Sequence, residues 1–496
     1  MTADEIVKFS WSDIPEATYT LKIQKYENGD WIDEIVEKGI TQNNYTPAAK
    51  LAAGGYYRAT VTAYKNYTTI KCQEAKDGGI YFQVYFNPET HPANAGIDYD
   101  FENTISELVL NNYLDRAVTC EMFTSKTSGI GRGQIARNNI RMFLNTGVKY
   151  VSRAYGSFNP SRYTLLNKAY DKSIFDYAHS LDSDIIFEAG IYEAISTAVN
   201  GISIPKWVFD AFGKEYENRC FNSSLMVYED GRYTDEFGEG LHAVDITRDE
   251  TQMFYYYLAC NYIDIGIEAL HFGQTGITAE DDYNYACCGS LFKKVREYAK
   301  THARRGMVLI NSHNGTKPLR RFENLRFNLL VDFLAEPAAI YDVAGEAHLP
   351  SENNPQKAEI RSNSGVWTRK YSGYTPSGWY TTNLPCYAEF DNWMSAPESN
   401  NALMNPTGRV DVPWGMDEIS WFANQPSEYR HTFMNYMYDT VKSYNSNAHV
   451  CFPASRPAYI MESKEMDYYY ILDTVFYNNG FSDEKFLKEL FINSNS

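Results

Sequence analysis

Three short stretches place carboxylates directly behind apolar runs. Ile185-Ile186-Phe187 leads into Glu188, with Glu193 a few residues on; Cys386-Tyr387-Ala388 leads into Glu389 and then Asp391; Leu329-Leu330-Val331 leads into Asp332, with Glu336 beyond. Glu389 and Asp391 are two apart, so on a strand both point to one face. A pair of carboxyls can divide acid from base work: one protonates a leaving oxygen while the other attacks carbon or activates water, which is what cleavage of a glycosidic bond requires. Glu188 is the first choice for the acid. Apolar strand residues precede it and Ala189-Gly190 follow, so its carboxyl is expected in a partly apolar mouth, where a carboxyl rises toward the working pH of a general acid. Glu193 is its near competitor, and simple pairing of Glu188 with Arg153 is the rival role.

Other polar residues recur at the same kind of place. Arg153 closes KYVSRA, His271 and Gln274 lie in LHFGQTG, and His313 and Asn314 lie in INSHNG. Trp393 follows AEFDN, and Arg456 lies in PASRP. Each could merely cap a helix or satisfy a loop. Together they set carboxylates, amides, His and Trp behind successive apolar runs. The segment 414–430 (WGMDEISWFANQPSEYR), with Asp417 and Trp421, reads as a substrate platform, stacking by Trp and hydrogen bonding by Asp; a structural plug is the alternative.

The runs that position these residues alternate with amphipathic helical stretches. Strands are expected at 117–123, 149–154, 184–187, 266–272, 306–312, 328–333, 386–390 and 448–452, and helices at 134–145, 165–180, 249–262, 283–302 and 428–444. Eight strands with crossover helices predict an α/β fold, a (β/α)8 TIM barrel with long loop insertions over 101–496, whose active site lies at the C-terminal strand ends. An open doubly wound sheet is the alternative, but Gly129-Ile130-Gly131-Arg132-Gly133 lacks the dinucleotide spacing.

Other chemistries find less support. There is no G-x-S-x-G elbow, Walker loop, CxxC or strand-end H-x-H, and His242, His271 and His313 lack a helical H-x-x-x-H pairing. No metal or other cofactor is expected. The chain of 496 residues carries 63 acidic and 45 basic residues, a net charge of -18. That balance repels phosphate backbones, so nucleic acid is not an expected partner, and no apolar run is long enough to insert in a membrane. The 41 Tyr and 8 Trp offer flat faces with polar edges, which suit sugar rings as well as β-sheet packing. The eight Cys are too few for a disulfide scaffold and are expected to be mostly buried thiols.

Residues 1–87 carry short strands of a different kind. Tyr19, Leu21 and Ile23 alternate with Thr18, Thr20 and Lys22, and 55–64 (GYYRATVTAY) follows NYTP at 44–47. Regular short strands of this sort predict an all-β immunoglobulin-like sandwich. The order Phe9-Ser10-Trp11, ATYTLKI, NYTP and then Tyr57, Val61 and Ala63 resembles a fibronectin type III module, which implies a spacer or docking surface. Residues 88–100, which carry Pro88 and Pro92, read as a linker. The barrel, with its rim of carboxylates and aromatics, resembles glycoside hydrolases, without identifying one family among them. That resemblance implies a hydrolase of oligo- or polysaccharides that works outside the cell or at its surface, although Met1 to Asp13 lacks a signal sequence and a trimmed leader is expected. It also implies acids at the ends of strands four and seven; strand four departs from this, ending in His271-Phe272-Gly273-Gln274. Two other functions compete: a non-catalytic carbohydrate-binding protein on a degenerate barrel, and a barrel lyase or other hydrolase acting on acidic polysaccharide, which would need a basic cleft.

Overall fold

The computed structural model describes residues 6–27, 30–66, 68–71, 79–121, 123–124, 132–313, 319–342, 358–362, 370–392, 418–460, 462–463, 465–472 and 480–495. The chain divides into two compact units, one of 97–125 and 149–469, the other of 1–96, 126–148 and 470–496.

The larger unit contains eight parallel strands: β1 (Ala117–Cys120), β2 (Tyr150–Gly156), β3 (Ile186–Ile191), β4 (Ala269–Gln274), β5 (Leu309–His313), β6 (Leu334–Asp342), β7 (Cys386–Glu389) and β8 (Ala448–Ile460). They pair in the order β5-β4-β3-β2-β1-β8-β7-β6. Pairing of β8 with β1 (Phe452 with Val118) wraps the sheet round and excludes the open doubly wound alternative. The remaining seam, between β5 and β6, is closed by a side chain. Asp332 N–H donates to the Ile310 carbonyl at 2.8 Å, and its carboxylate accepts the Ile310 N–H at 2.8 Å and Arg296 Nη2 at 2.9 Å. Buried backbone groups must find partners, and here a carboxylate stands in for the missing ladder.

The sixth strand therefore differs from the sequence reading. Residues 326–329 form a hairpin with Arg320–Glu323 instead, and Asn328 pairs with Tyr374. The apolar stretch before Leu334 is buried as the approach to the strand, not as the strand itself. Between β5 and β6 this hairpin takes the place of a crossover helix. Elsewhere Lys168–Leu181, Asp249–Asp264, Ala286–His302 and Ser427–Tyr444 alternate with the strands; the first buries Ile174, Phe175 and Ala178, one stripe of a 3.6-residue period.

The N-terminal end of the barrel is filled and capped. Ala117, Tyr150, Ile186, Ala269 and Leu309, each at the start of its strand, meet Phe333, Tyr387 and Cys451 in one core cluster, together with Leu110, Tyr113 and Leu114 of the helix Glu107–Leu114. Ser106 caps that helix, accepting the Val109 N–H at 3.2 Å. With that end sealed, the C-terminal strand ends are left for chemistry.

In the smaller unit Thr18–Glu27 pairs antiparallel with Asp30–Ile40 and Tyr56–Lys65, and the latter also pairs with Thr68–Lys71 and Gly79–Gln83. Leu21, Ile23, Tyr57, Ala59 and Val84 form its core, and Trp11 packs on Tyr19 at 5.3 Å. Helix Arg132–Thr146 belongs to this unit. Its Arg141 grips Glu484 through two hydrogen bonds of 2.7 and 2.6 Å. Among the described residues seven cysteines are free thiols, five of them buried.

Candidate active site

The site begins with a break in register. Phe187 of β3 faces Val151 of β2, but Ala189 faces Tyr155, so Ser152, Arg153 and Ala154 bulge opposite the single residue Glu188. Bulges of this kind re-aim side chains beside functional sites. Arg153 stands at φ 58°, a left-handed conformation that costs a non-glycine residue about 1–3 kcal/mol. Two contacts hold it there. Its N–H donates to Glu188 Oε1 at 3.2 Å, and its Nη2 donates to Glu389 Oε1 at 2.5 Å.

Glu188 is fully buried and accepts four hydrogen bonds. Tyr150 Oη (2.5 Å) and Asn311 Nδ2 (2.6 Å) bond one oxygen, and Ser152 Oγ (2.7 Å) and the Arg153 N–H bond the other. Burial and the neighbouring Glu188 push the Tyr150 phenol well above its usual range, so it stays a donor. Every lone pair of Glu188 already faces a protein donor, which makes it the keystone that joins β2, β3 and β5.

Glu389 closes β7, also without exposed surface. Besides Arg153 it meets His313 Nε2 at 2.9 Å. Burial pushes its carboxyl up, but Arg153 and the His313 hydrogen bond outweigh that and hold it below the usual value. For His313 burial pushes down, yet the bond to Glu389 prevails and raises the imidazole above its ordinary value. Asp391, two residues on, accepts Arg456 Nη2 at 2.5 Å. Burial opposes its charge; Arg456 and then Arg153 win and keep it far below the normal range. Through Nη1 the same Arg456 meets Glu121 Oε1 at 3.0 Å.

His271 Nδ1 bonds Asn311 Oδ1 at 2.7 Å, and the His271 ring lies 4.7 Å from that of His313. Burial, then Arg153, drives His271 well below its usual value, so it is neutral. Gln274 instead binds Glu193, through its Nε2 at 2.8 Å and its N–H at 3.1 Å. Gly273 permits that grip: a Cβ there would stand 1.9 Å from Glu193 Oε2. Arg153 Nε, Arg456 Nε and Nη1, Glu389 Oε2 and His271 Nε2 are buried with no hydrogen-bond partner among the described residues. Buried polar atoms left this way are costly.

Of the residues picked from sequence, the structure gathers Arg153, Glu188, His271, His313, Glu389 and Asp391 into this network, while Gln274 turns to Glu193. Glu336 is buried in β6 opposite Ala388. Asp332 precedes β6 and closes the barrel seam, which corrects its placement at a strand's C-terminal end. Trp421 needs a second correction. Its indole has no exposed surface and packs against Phe433 at 4.7 Å, so it is core, and a ring with no open face cannot stack on sugar. Asn314, Trp393 and Asp417 lie outside the described residues. Glu121, Asn311 and Tyr192 were missed. Glu121 lay inside the expected strand 117–123; an ionisable residue within an apolar run is itself the signal that could have found it. Tyr192 follows β3, and Arg153 lies 5.7 Å from its ring centroid.

Ligand atoms of His313, Glu389 and Asp391 lie within 4.8 Å of one another, a set that could hold a cation. Arg153 and Arg456 already bond these groups. The carboxylates of this set are therefore held by the guanidinium ions of Arg153 and Arg456.

No protein-family model matches the chain, and no curated protein matches it. Among solved structures it is similar to β-D-glucuronidase of Dictyoglomus thermophilum (TM-score 0.35, 9% identity, 99% of this chain and 68% of that one). It is also similar to the catalytic module of the glycogen-degrading pneumococcal virulence factor SpuA (TM-score 0.35, 8% identity, 88% and 66%). A third is β-glucuronidase of Parabacteroides merdae (TM-score 0.31, 10% identity, 90% and 46%). In two structures of the P. merdae enzyme the chain spans 32% and 46% of the length. Likenesses of this size carry no argument about chemistry, which rests on the site's own geometry.

Proposed function

We propose that the barrel is a glycoside hydrolase that cleaves O-glycosidic bonds of an oligo- or polysaccharide, with Asp391 beyond the end of β7 as a working carboxylate and the sealed Glu389 beside it. One observation carries this reading: carboxylates kept ionised by two buried arginines gather at the end of the barrel opposite its plug, beside buried polar atoms that have no hydrogen-bond partner among the described residues. A polyhydroxylated ligand offers donors to the carboxylate of Asp391, which keeps some exposed surface. Glu188 serves as the bonded frame behind them and His313 orients Glu389. In the same reading residues 1–87 are a fibronectin type III-like spacer, and the protein works outside the cell or at its surface.

The test is reducing-sugar release from a panel of oligo- and polysaccharides, beside Asp391→Asn and Glu389→Gln, with folding checked by circular dichroism. Release that Asp391→Asn reduces by at least 10²-fold supports the reading. Tight saccharide binding without any turnover by the parent protein would refute it and leave a carbohydrate-binding barrel.

A further inference from the structure

Glutamate 121 follows β1 directly, and its N–H donates to the Ser455 carbonyl of β8 at 2.8 Å. Its side chain is 25% exposed and that of Asp391 14%, whereas Glu188 and Glu389 are sealed. One guanidinium serves both of the open carboxyls: Arg456 Nη1 lies 3.0 Å from Glu121 and Nη2 lies 2.5 Å from Asp391. The arginine fork is rigid, so its hydrogen bond to Asp391 and its ion pair with Glu121 hold the two carboxyls on one guanidinium. We propose that Glu121 is the proton donor of this site and Asp391 the carboxylate opposite it, an assignment that rests on the glycosidase reading.

The environments of the two carboxyls diverge, which is what separates an acid from a base. Burial pushes Glu121 above the ordinary carboxyl value against the pull of Arg456 and Arg153, and Asp391 and Glu389 reinforce the rise. Tyr192 and Tyr468 also face it. Asp391, under the same two arginines, stays ionised. Asp391 forms a bond to the anomeric carbon as the bond from that carbon to the leaving oxygen breaks; its electron pair goes to the oxygen, which takes the proton of Glu121. Water then adds at the anomeric carbon, returns its proton to Glu121 and frees Asp391. No other reactant is needed.

The test compares kcat/KM of parent, Glu121→Gln, Glu121→Asp and Asp391→Asn on oligosaccharides and on 2,4-dinitrophenyl glycosides, whose leaving group needs no proton. Glu121→Gln is expected to lose about 10²–10⁴-fold on oligosaccharides. It keeps the dinitrophenyl reaction within about tenfold and loses the alkaline limb of the pH profile, which Glu121→Asp retains. Asp391→Asn loses both reactions. Equal loss by Glu121→Gln on both substrate types, or an alkaline limb that survives it, overturns the assignment while leaving the glycosidase reading intact. A parent protein that cleaves no glycoside removes both.

Discussion

Replacing Arg153 by Met keeps the length of the side chain and removes its charge. The residue is 6% exposed and Glu389 0%, so the variant leaves a sealed carboxylate without its closest cation. Breaking a buried pair from one side costs about 3–5 kcal/mol. The left-handed backbone remains, so no strain is relieved to offset this. The pH dependence follows from the direction of the Glu389 shift. Its folded value lies below the ordinary 4.5, so in the parent the pair stabilises fully above that value and fades as pH falls through the lower folded value. In Arg153→Met burial acts without Arg153 and Glu389 rises, so the variant binds a proton that the parent does not. The gap between parent and variant is therefore widest near pH 8 and narrows toward pH 5. Urea unfolding followed by tryptophan fluorescence measures both points. Combining Arg153→Met with Glu389→Gln should recover about 2 kcal/mol, within the range expected for contacting residues. A penalty below about 1 kcal/mol and equal at both pH values would refute the picture of a charged, sealed Glu389.

His313→Gln tests the opposite sign. The folded imidazole titrates above its ordinary 6.5, so its contribution is whole below that pH and disappears as pH rises through the folded value; melting from pH 6 to 9 should show parent and variant converging. Asp332→Ala removes the acceptor for the Ile310 N–H and the partner of Arg296. A loss of about 1.5–3 kcal/mol is expected, with faster hydrogen exchange at Ile310. Leu110→Ala opens the plug at the closed end, costing about 2–5 kcal/mol in denaturant.

What the sequence showed depended on whether neighbours in the chain decided the outcome. Apolar runs such as 185–187 and 386–388 became barrel strands because burial on both faces leaves a continuous hydrophobic signature. The run at 328–333 carries the same signature but is buried as an approach, because Arg326–Leu329 found a hairpin partner in Arg320–Glu323. Local pattern cannot register that competition. Trp421 shows the same limit from the other side: an aromatic beside Asp and Asn looks like a platform, yet Phe433 comes from the following helix and closes over it. The bulge at Arg153 was invisible for a different reason. Left-handed backbone normally announces itself by glycine or asparagine, and here an arginine adopts it because contacts from β3 and β7 over-determine the position.

Two glutamates of this site, Glu188 and Glu121, differ most where burial alone says least. Glu188 was attractive from sequence because an apolar mouth favours a protonated carboxyl, and it is indeed sealed. Yet four donors converge on it from β2 and β5, so burial there goes with complete satisfaction and no lone pair is left for a ligand. Glu121 is less covered, but burial and two neighbouring carboxylates push its carboxyl above the ordinary value against its arginines. Burial sets the cost of a charge; the donors around it decide whether that cost is met. An acid in a barrel mouth is therefore to be sought where a carboxyl is partly covered and thinly bonded. By that criterion the residue after β1 outranks the one in β3, which the apolar run alone had favoured.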